Sequence, residues 1–282
     1  MQLRLDVGYV REQQLTESFD IQNLAEVIDI RQYDQTTVGV LLTGSFAMGN
    51  AKPQSDVDFI VSSADIQSSE QRAFRYRGKL VVLKIQPRDT LGAIVVDPRS
   101  ACRYLTGLTH SVPLVDQDGA LRDLLDKARN FQWTSELIFS ANRQAASELI
   151  GWLEEVHKGV AGLESGDSGR MVQAVHGCSW GMLRVAQLHL RVLEDSDNTV
   201  VDDVMAAVGL TSRWSKLLRT AIGLTGASLP VRVKAGLELF CATAELAEAS
   251  FLLDELRMIE PTVAQTREFL APLTPLGVTN QR

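Results

Sequence analysis

Two aspartates stand two residues apart in Ser55-Asp56-Val57-Asp58, at the head of the apolar run Val57–Ser62. If that run is a strand, both side chains point to the same face. Carboxylates converging in this way repel each other strongly unless a divalent ion lies between them. Hard oxygen ligands at this spacing suit Mg2+, which takes a few carboxylates and completes its shell with water and substrate phosphates. Upstream, the apolar run Thr37–Thr43 ends in Gly44-Ser45. Glycine lets a backbone approach a ligand closely and adopt unusual angles. The amides around Ser45, Phe46 and Ala47, at the mouth of a short helix, can cradle an anion, and the Ser45 hydroxyl can donate to a phosphate oxygen. A phosphate cradle beside paired carboxylates is the layout for nucleotidyl transfer.

These residues need a sheet to position them. Short β-branched runs predict strands over Thr37–Thr43, Val57–Ser62, Leu80–Gln86 and Val112–Asp116, the last closed by the turn Asp116-Gln-Asp-Gly119. Helices are expected over Glu12–Arg31, Asp65–Tyr76, Arg88–Val96, Arg99–Thr106 and Ala120–Arg129. Beyond about Gln132 the chain turns rich in Ala, Leu and Glu with helical periodicity. Helices are expected there over Ser135–Gly162, Ser168–Leu193, Val200–Val208, Ser212–Leu224, Leu229–Met258 and Thr262–Leu270. The expected fold class is α+β: a small mixed-sheet domain over residues 1–131, then an α-helical bundle over 132–282.

The order strand, Gly44-Ser45, short helix, then Asp56-x-Asp58 on the next strand resembles the nucleotidyltransferase superfamily of the DNA polymerase β type. With the helical second half, the plan resembles antibiotic-modifying nucleotidyltransferases, which act on aminoglycosides or lincosamides. The resemblance implies a metal-dependent transfer of a nucleoside monophosphate, AMP from ATP, to a hydroxyl of a small-molecule acceptor. It implies Mg2+ at Asp56 and Asp58, the two catalytic and metal-binding residues, and pyrophosphate held by Gly44 and Ser45. It also carries the expectation of a homodimer.

The family's third acid stands on the next strand, and Leu80–Gln86 (LVVLKIQ) contains none. Alternation turns Val81, Leu83 and Ile85 to the core and leaves Val82, Lys84 and Gln86 on the open face. The third carboxylate's place therefore falls to Val82 or Lys84. An ammonium there cannot bind Mg2+, but it can pair with the aspartates or a triphosphate, which makes Lys84 a candidate nucleotide-binding residue. Three arrangements follow. Two carboxylates suffice with one metal; a glutamate of the helical half (Glu136, Glu148, Glu154 or Glu155) supplies the base; or the domain is a catalytically weak nucleotide-binding module acting as a regulatory or antitoxin-like partner. Met48 stands where the family often has a basic residue.

Other features have plainer readings. The basic run Arg72, Arg75, Arg77 and Lys79 around Phe74 and Tyr76 is a triphosphate contact or a solvated helix face. Arg184 and His189 fit the loose Arg-x4-His pattern of HEPN ribonucleases, although a structural role is the default. Trp133, Trp152, Trp180 and Trp214 read as core or interface residues. Glu194–Asp197 with Asp202 and Asp203 reads as an exposed loop and helix cap.

The 282 residues carry a net charge of −7, with 45% hydrophobic and 22% charged residues. The acidic balance argues against a broad nucleic-acid surface. No apolar run approaches the roughly 20 residues of a membrane-spanning helix, and the first residues show no secretory h-region. Three scattered cysteines, Cys102, Cys178 and Cys241, read as reduced thiols, and the expected location is cytoplasmic.

Overall fold

A computed structural model describes residues 37–64 and 66–271. The helix expected over Glu12–Arg31 lies outside the described residues. Those described form a mixed five-stranded sheet followed by a helical region, an α+β fold. Among them, no helix is long and apolar enough to cross a membrane.

The described residues cluster into two compact units that interleave along the chain. Residues up to Leu91 group with His110–Asp126, and Gly92–Thr109 groups with the residues from Lys127 onward.

In the first unit, β1 (Thr37–Thr43), β2 (Val57–Ser63), β3 (Glu70–Tyr76), β4 (Lys79–Pro87) and β5 (Val112–Asp116) lie in the order β3-β4-β2-β1-β5. The central pair β2–β4 is parallel; β1 runs antiparallel to β2 and β5, and β3 antiparallel to β4. The four-residue helix α1 (Gly44–Ala47) follows β1 directly. One face of the sheet buries Val40, Leu42, Val57, Phe59, Val61, Val81, Leu83 and Ile85. This is the alternation expected of β4, whose other face carries Val82, Lys84 and Gln86.

The helix expected over Asp65–Tyr76 is not formed, because residues 70–76 are the edge strand β3. The two-residue turn Arg77-Gly78 joins it to β4, with φ of 46° and 78°. Positive φ at both central positions is the type I′ geometry that matches strand twist. Phe74 and Tyr76 pack against the buried face of the sheet. Charges along β3 suit an edge strand, where they discourage pairing with another chain.

The helical unit groups α2 (Pro98–Thr109) with α4 (Ser135–Gly151), α5 (Leu153–Ser165), α6 (Ser168–His176), α7 (Met182–Leu190), α8 (Val200–Val208), α9 (Arg213–Ala221), α10 (Leu229–Ala247) and α11 (Leu253–Leu270), and α2 packs on α4 and α7. The sheet unit's α3 (Ala120–Arg129) follows β5, and its opening amides at Leu121 and Arg122 are capped by the Asp116 carboxylate at 3.1 Å each. Residues 88–95 form a 3-10 helix. Helix α10 is buried on nearly every side, through Leu237, Leu239, Phe240 and Cys241 among others, as expected of a central helix.

Three long helices expected from periodicity are broken. Ser135–Gly162 divides at Trp152. Ser168–Leu193 is interrupted by a π-helical turn at Gly177–Gly181, and α7 stops at Arg191 in the left-handed region. A Cβ at Gly181 would come within 2.5 Å of the Trp152 ring, so the missing side chain admits the indole. Leu229–Met258 ends at Ala247, and α11 then runs through Pro261, where a boundary was expected.

Candidate active site

β1 delivers the chain to Gly44, which turns it at φ +67° into α1. The turn is closed by the amides of Met48 and Asn50, donating to the Gly44 carbonyl (3.1 Å) and the Ser45 carbonyl (3.0 Å). A left-handed backbone favours glycine, and space requires it as well. A Cβ at Gly44 would stand 2.7 Å from Asp58 Oδ2. The glycine turn and the second aspartate are therefore in direct apposition.

β2 places Asp58 opposite Thr43 on one side and opposite Val82 of β4 on the other. Residues opposed across a ladder share a face, so Thr43, Asp58 and Val82 form one row. The next row of that face contains Ile60 and Lys84. Val82 is thus the direct cross-strand neighbour of Asp58, and Lys84 is its diagonal neighbour. Register settles which of the two stands beside the carboxylate. Val82 is buried at 8% exposure, whereas Lys84 is exposed.

Asp56 precedes β2 and, like Asp58, is half-buried. Burial and the neighbouring Asp56 charge push the Asp58 carboxyl above its ordinary value, while the Lys84 ammonium pulls it the other way. The structure therefore sets the Gly44 turn against Asp58, with Ser45 next in that turn and the charges of Asp56 and Lys84 close enough to act on the Asp58 carboxyl. A partly buried carboxylate with a second one close enough to raise it suits a hard divalent cation, whose charge relieves both burdens. Among the described residues, no group of three or more acids, histidines or cysteines is placed to hold a metal ion.

Sequence reasoning missed one further residue. Lys79 donates from Nζ to the Pro53 carbonyl (2.5 Å) and lies over the Phe46 ring at 5.7 Å. It ties the start of β4 to α1 and to the middle of the α1–β2 connection. Within that connection the Lys52 amide donates to Ser55 Oγ (2.8 Å) and the Ser55 amide to the Lys52 carbonyl (2.9 Å), just ahead of Asp56. Lys79 was visible only as one cation in a basic run. Of the others in that run, Arg72 pairs with Glu70 at 2.5 Å, and Arg77 lies in the turn over the Tyr76 ring at 5.5 Å.

The glutamates considered as bases have partners in the helical unit. Glu148 pairs with Arg99 (2.7 Å), while Glu154 (2.9 Å) and Glu155 (2.8 Å) both pair with Lys158. Hydrogen bonds from its own amide and the Thr134 hydroxyl hold the exposed Glu136 carboxyl below its ordinary value at the start of α4. Arg184 and His189 do not form a shared site. Arg184 is bound to Glu194, Gln187 and Asp197, and His189 Nδ1 is buried without a hydrogen-bond partner. Burial also holds the imidazole below its ordinary pKa. Glu194, expected in an exposed loop, is 3% exposed. The cysteines are free and buried, with burial pushing Cys102 up to about 12 and Cys241 up to about 11. Trp214 is buried and donates to Thr243 Oγ1 at 2.8 Å, while Trp180 is exposed.

Residues 24–92 match the model of the nucleotidyltransferase domain, a span that contains Gly44, Ser45, Asp56, Asp58 and Lys84. None of the curated proteins matches the sequence. Among solved structures, the chain is similar in fold to a nucleotidyltransferase-like protein from Exiguobacterium sibiricum 255-15. The likeness has a TM-score of 0.52 at 13% identity and covers 89% of this chain and 90% of that one.

Proposed function

We propose that this protein transfers a nucleoside monophosphate, AMP from ATP, to a hydroxyl of a small-molecule acceptor, in the manner of antibiotic-modifying nucleotidyltransferases. The observation that carries the reading is the apposition of the Gly44 turn and the Asp58 carboxylate, with Asp56 and Lys84 in electrostatic reach.

Asp56 and Asp58 hold Mg2+ in this reading. When bound, the ion neutralises phosphate charge as it shifts toward the leaving group. The backbone amides at Gly44 and Ser45 and the Ser45 hydroxyl orient the β- and γ-phosphates. Lys84 adds a cationic contact to the triphosphate. The acceptor hydroxyl gives up its proton to solvent as its oxygen bonds to the α-phosphorus and the bond to the β-phosphate bridge breaks, and pyrophosphate leaves. Catalysis belongs to the domain of residues 1–131 and the supporting bundle to 132–282, with Gly92–Thr109 clustering with the bundle. The protein works as a cytoplasmic homodimer.

A second reading is favoured by one observation: apolar Val82 stands directly beside Asp58. In that case the domain binds nucleotide and regulates without turnover. Calorimetry with ATP and Mg2+, beside a pyrophosphate-release assay over a panel of hydroxyl acceptors, separates the two. Turnover on any acceptor supports the enzyme, binding without turnover supports the regulatory module, and absence of nucleotide binding removes both.

A further inference from the structure

The row Thr43–Asp58–Val82 gives the site an unequal pair of walls. On one side of Asp58 lies the Gly44 turn, where a Cβ would stand 2.7 Å from Oδ2. On the other side are the methyl groups of Val82, buried at 8% exposure. Two-metal sites hold their ions about 3.5–4 Å apart, and each ion needs its own oxygen ligands besides those it shares. Mg2+ is demanding here, because it asks for near-octahedral oxygen coordination. A second ion next to Asp58 would meet a hydrocarbon surface on the β4 side where it needs an oxygen. It would also meet the Lys84 ammonium, one row along the same face. Like charges at such range repel by an amount that grows as water is excluded.

A nucleoside triphosphate still brings about four negative charges to this face, which a single divalent ion leaves partly uncompensated. A lysine beside the aspartates supplies compensation without needing ligands of its own. We infer that the site takes one divalent cation per chain, held by Asp56 and Asp58, and that the Lys84 ammonium provides the positive charge a second ion would otherwise bring to the triphosphate. Val82 enforces this arrangement by excluding a second ion, and Lys84 is the nucleotide-contacting group it leaves room for. The inference rests on the nucleotidyltransferase reading and deepens it.

The test counts ions directly and does not depend on finding the acceptor. Mn2+ is titrated into the full-length protein with one equivalent of α,β-methylene ATP per chain, at concentrations where the analogue is fully bound, and free Mn2+ is read by electron paramagnetic resonance. The expected count is one Mn2+ per chain, rising to two in Val82→Asp. Lys84→Gln keeps the count at one but weakens binding of the analogue by on the order of tenfold, and Lys84→Arg recovers most of that loss. If Val82→Asp does not fold, as its circular dichroism would show, the wild-type count and the Lys84 pair decide. Two Mn2+ on the wild type, a folded Val82→Asp that stays at one, or a Lys84→Gln with unchanged affinity overturns the single-ion arrangement while leaving the nucleotidyltransferase reading in place. A wild type that binds neither the analogue nor Mn2+ overturns that reading, and this inference falls with it.

Discussion

Two groups of charges in this protein have been handled in opposite ways. In the helical unit, Glu194 is buried yet fully answered. Arg184 pairs with it, Gln187 Nε2 donates to it at 2.9 Å, and its own amide donates to the Cys102 carbonyl at 2.9 Å. In the sheet unit, the neighbouring Asp56 charge works against the Asp58 carboxylate, and among the described residues Lys84 on the adjacent strand pulls it the other way. The first group is internally neutral and well bonded, which is what a fold does with ions it must bury. The second keeps two like charges partly desolvated, at a cost the fold tolerates. Frustration of this kind is common at functional sites.

The contrast can be broken experimentally at either end. The largest effect is expected at the aspartate pair. Asp56→Asn or Asp58→Asn should each reduce nucleotidyl transfer on the order of a thousandfold or more while the far-ultraviolet circular dichroism stays native. A folded variant of either kind with wild-type turnover refutes the mechanism. At the answered pair, Arg184→Met strands a buried carboxylate and should cost about 3 kcal/mol in urea unfolding. The double change Arg184→Met with Glu194→Leu should recover much of that, because an apolar pair carries no desolvation penalty; equal losses in the single and double variants would contradict this account of the cluster.

Gly44→Ala comes next. It places a side chain at φ +67° and against Asp58, and the backbone strain alone is about 1–2 kcal/mol. A lowered melting temperature together with weaker binding of an ATP analogue is expected, and an unchanged melting temperature would count against the close apposition. The smallest effect has the reverse sign. Asp58 holds its proton more tightly in the folded chain than in the unfolded one, so its contribution favours folding at low pH and is lost as pH rises through the raised folded value. At neutral pH Asp58→Asn should therefore melt above the wild type in the absence of divalent ions, with the gap closing as pH falls toward the ordinary carboxylate range. A melting temperature below the wild type across that range would contradict the raised Asp58 carboxyl.

Much of the sheet was legible because buried strands write themselves as apolar runs. Thr37–Thr43 and Val112–Asp116 match their expected limits, β2 runs one residue longer at its end, and β4 one residue longer at each end. β3 was not legible. As an edge strand it carries Glu70, Gln71, Arg72 and Arg75, and charges in a short run look the same on a solvated helix. The signal that was present, Arg77-Gly78, is a hairpin turn with an arginine where asparagine or glycine is usual. In the helical unit, periodicity located helices but not their interruptions. Trp152 and the turn at Gly177–Gly181 are set by packing between helices, which a one-dimensional pattern does not record. Pro261 signalled a boundary, but α11 continues through it.

The candidate site divides in the same way. Gly44, Ser45, Asp56 and Asp58 could be singled out because their order along the chain has chemical meaning. Whether Val82 or Lys84 stands beside Asp58 depends on the register of two parallel strands, and no single strand encodes that. Lys79 was hidden for a similar reason, since its partners Pro53 and Phe46 are distant in sequence.

The interleaving of the two compact units bears on how a ribosome-bound chain acquires its shape. The stretch Gly92–Thr109 emerges before β5 yet clusters with helices that are synthesised later. The amphipathic helix inside it carries Ala101, Cys102, Leu105 and Leu108 as buried residues. During translation that oily stripe must wait, shielded or chaperoned, until its companions leave the exit tunnel. Cutting the gene once between the two units would strand this segment on the wrong side, so neither half is expected to behave as an independent module after such a cut.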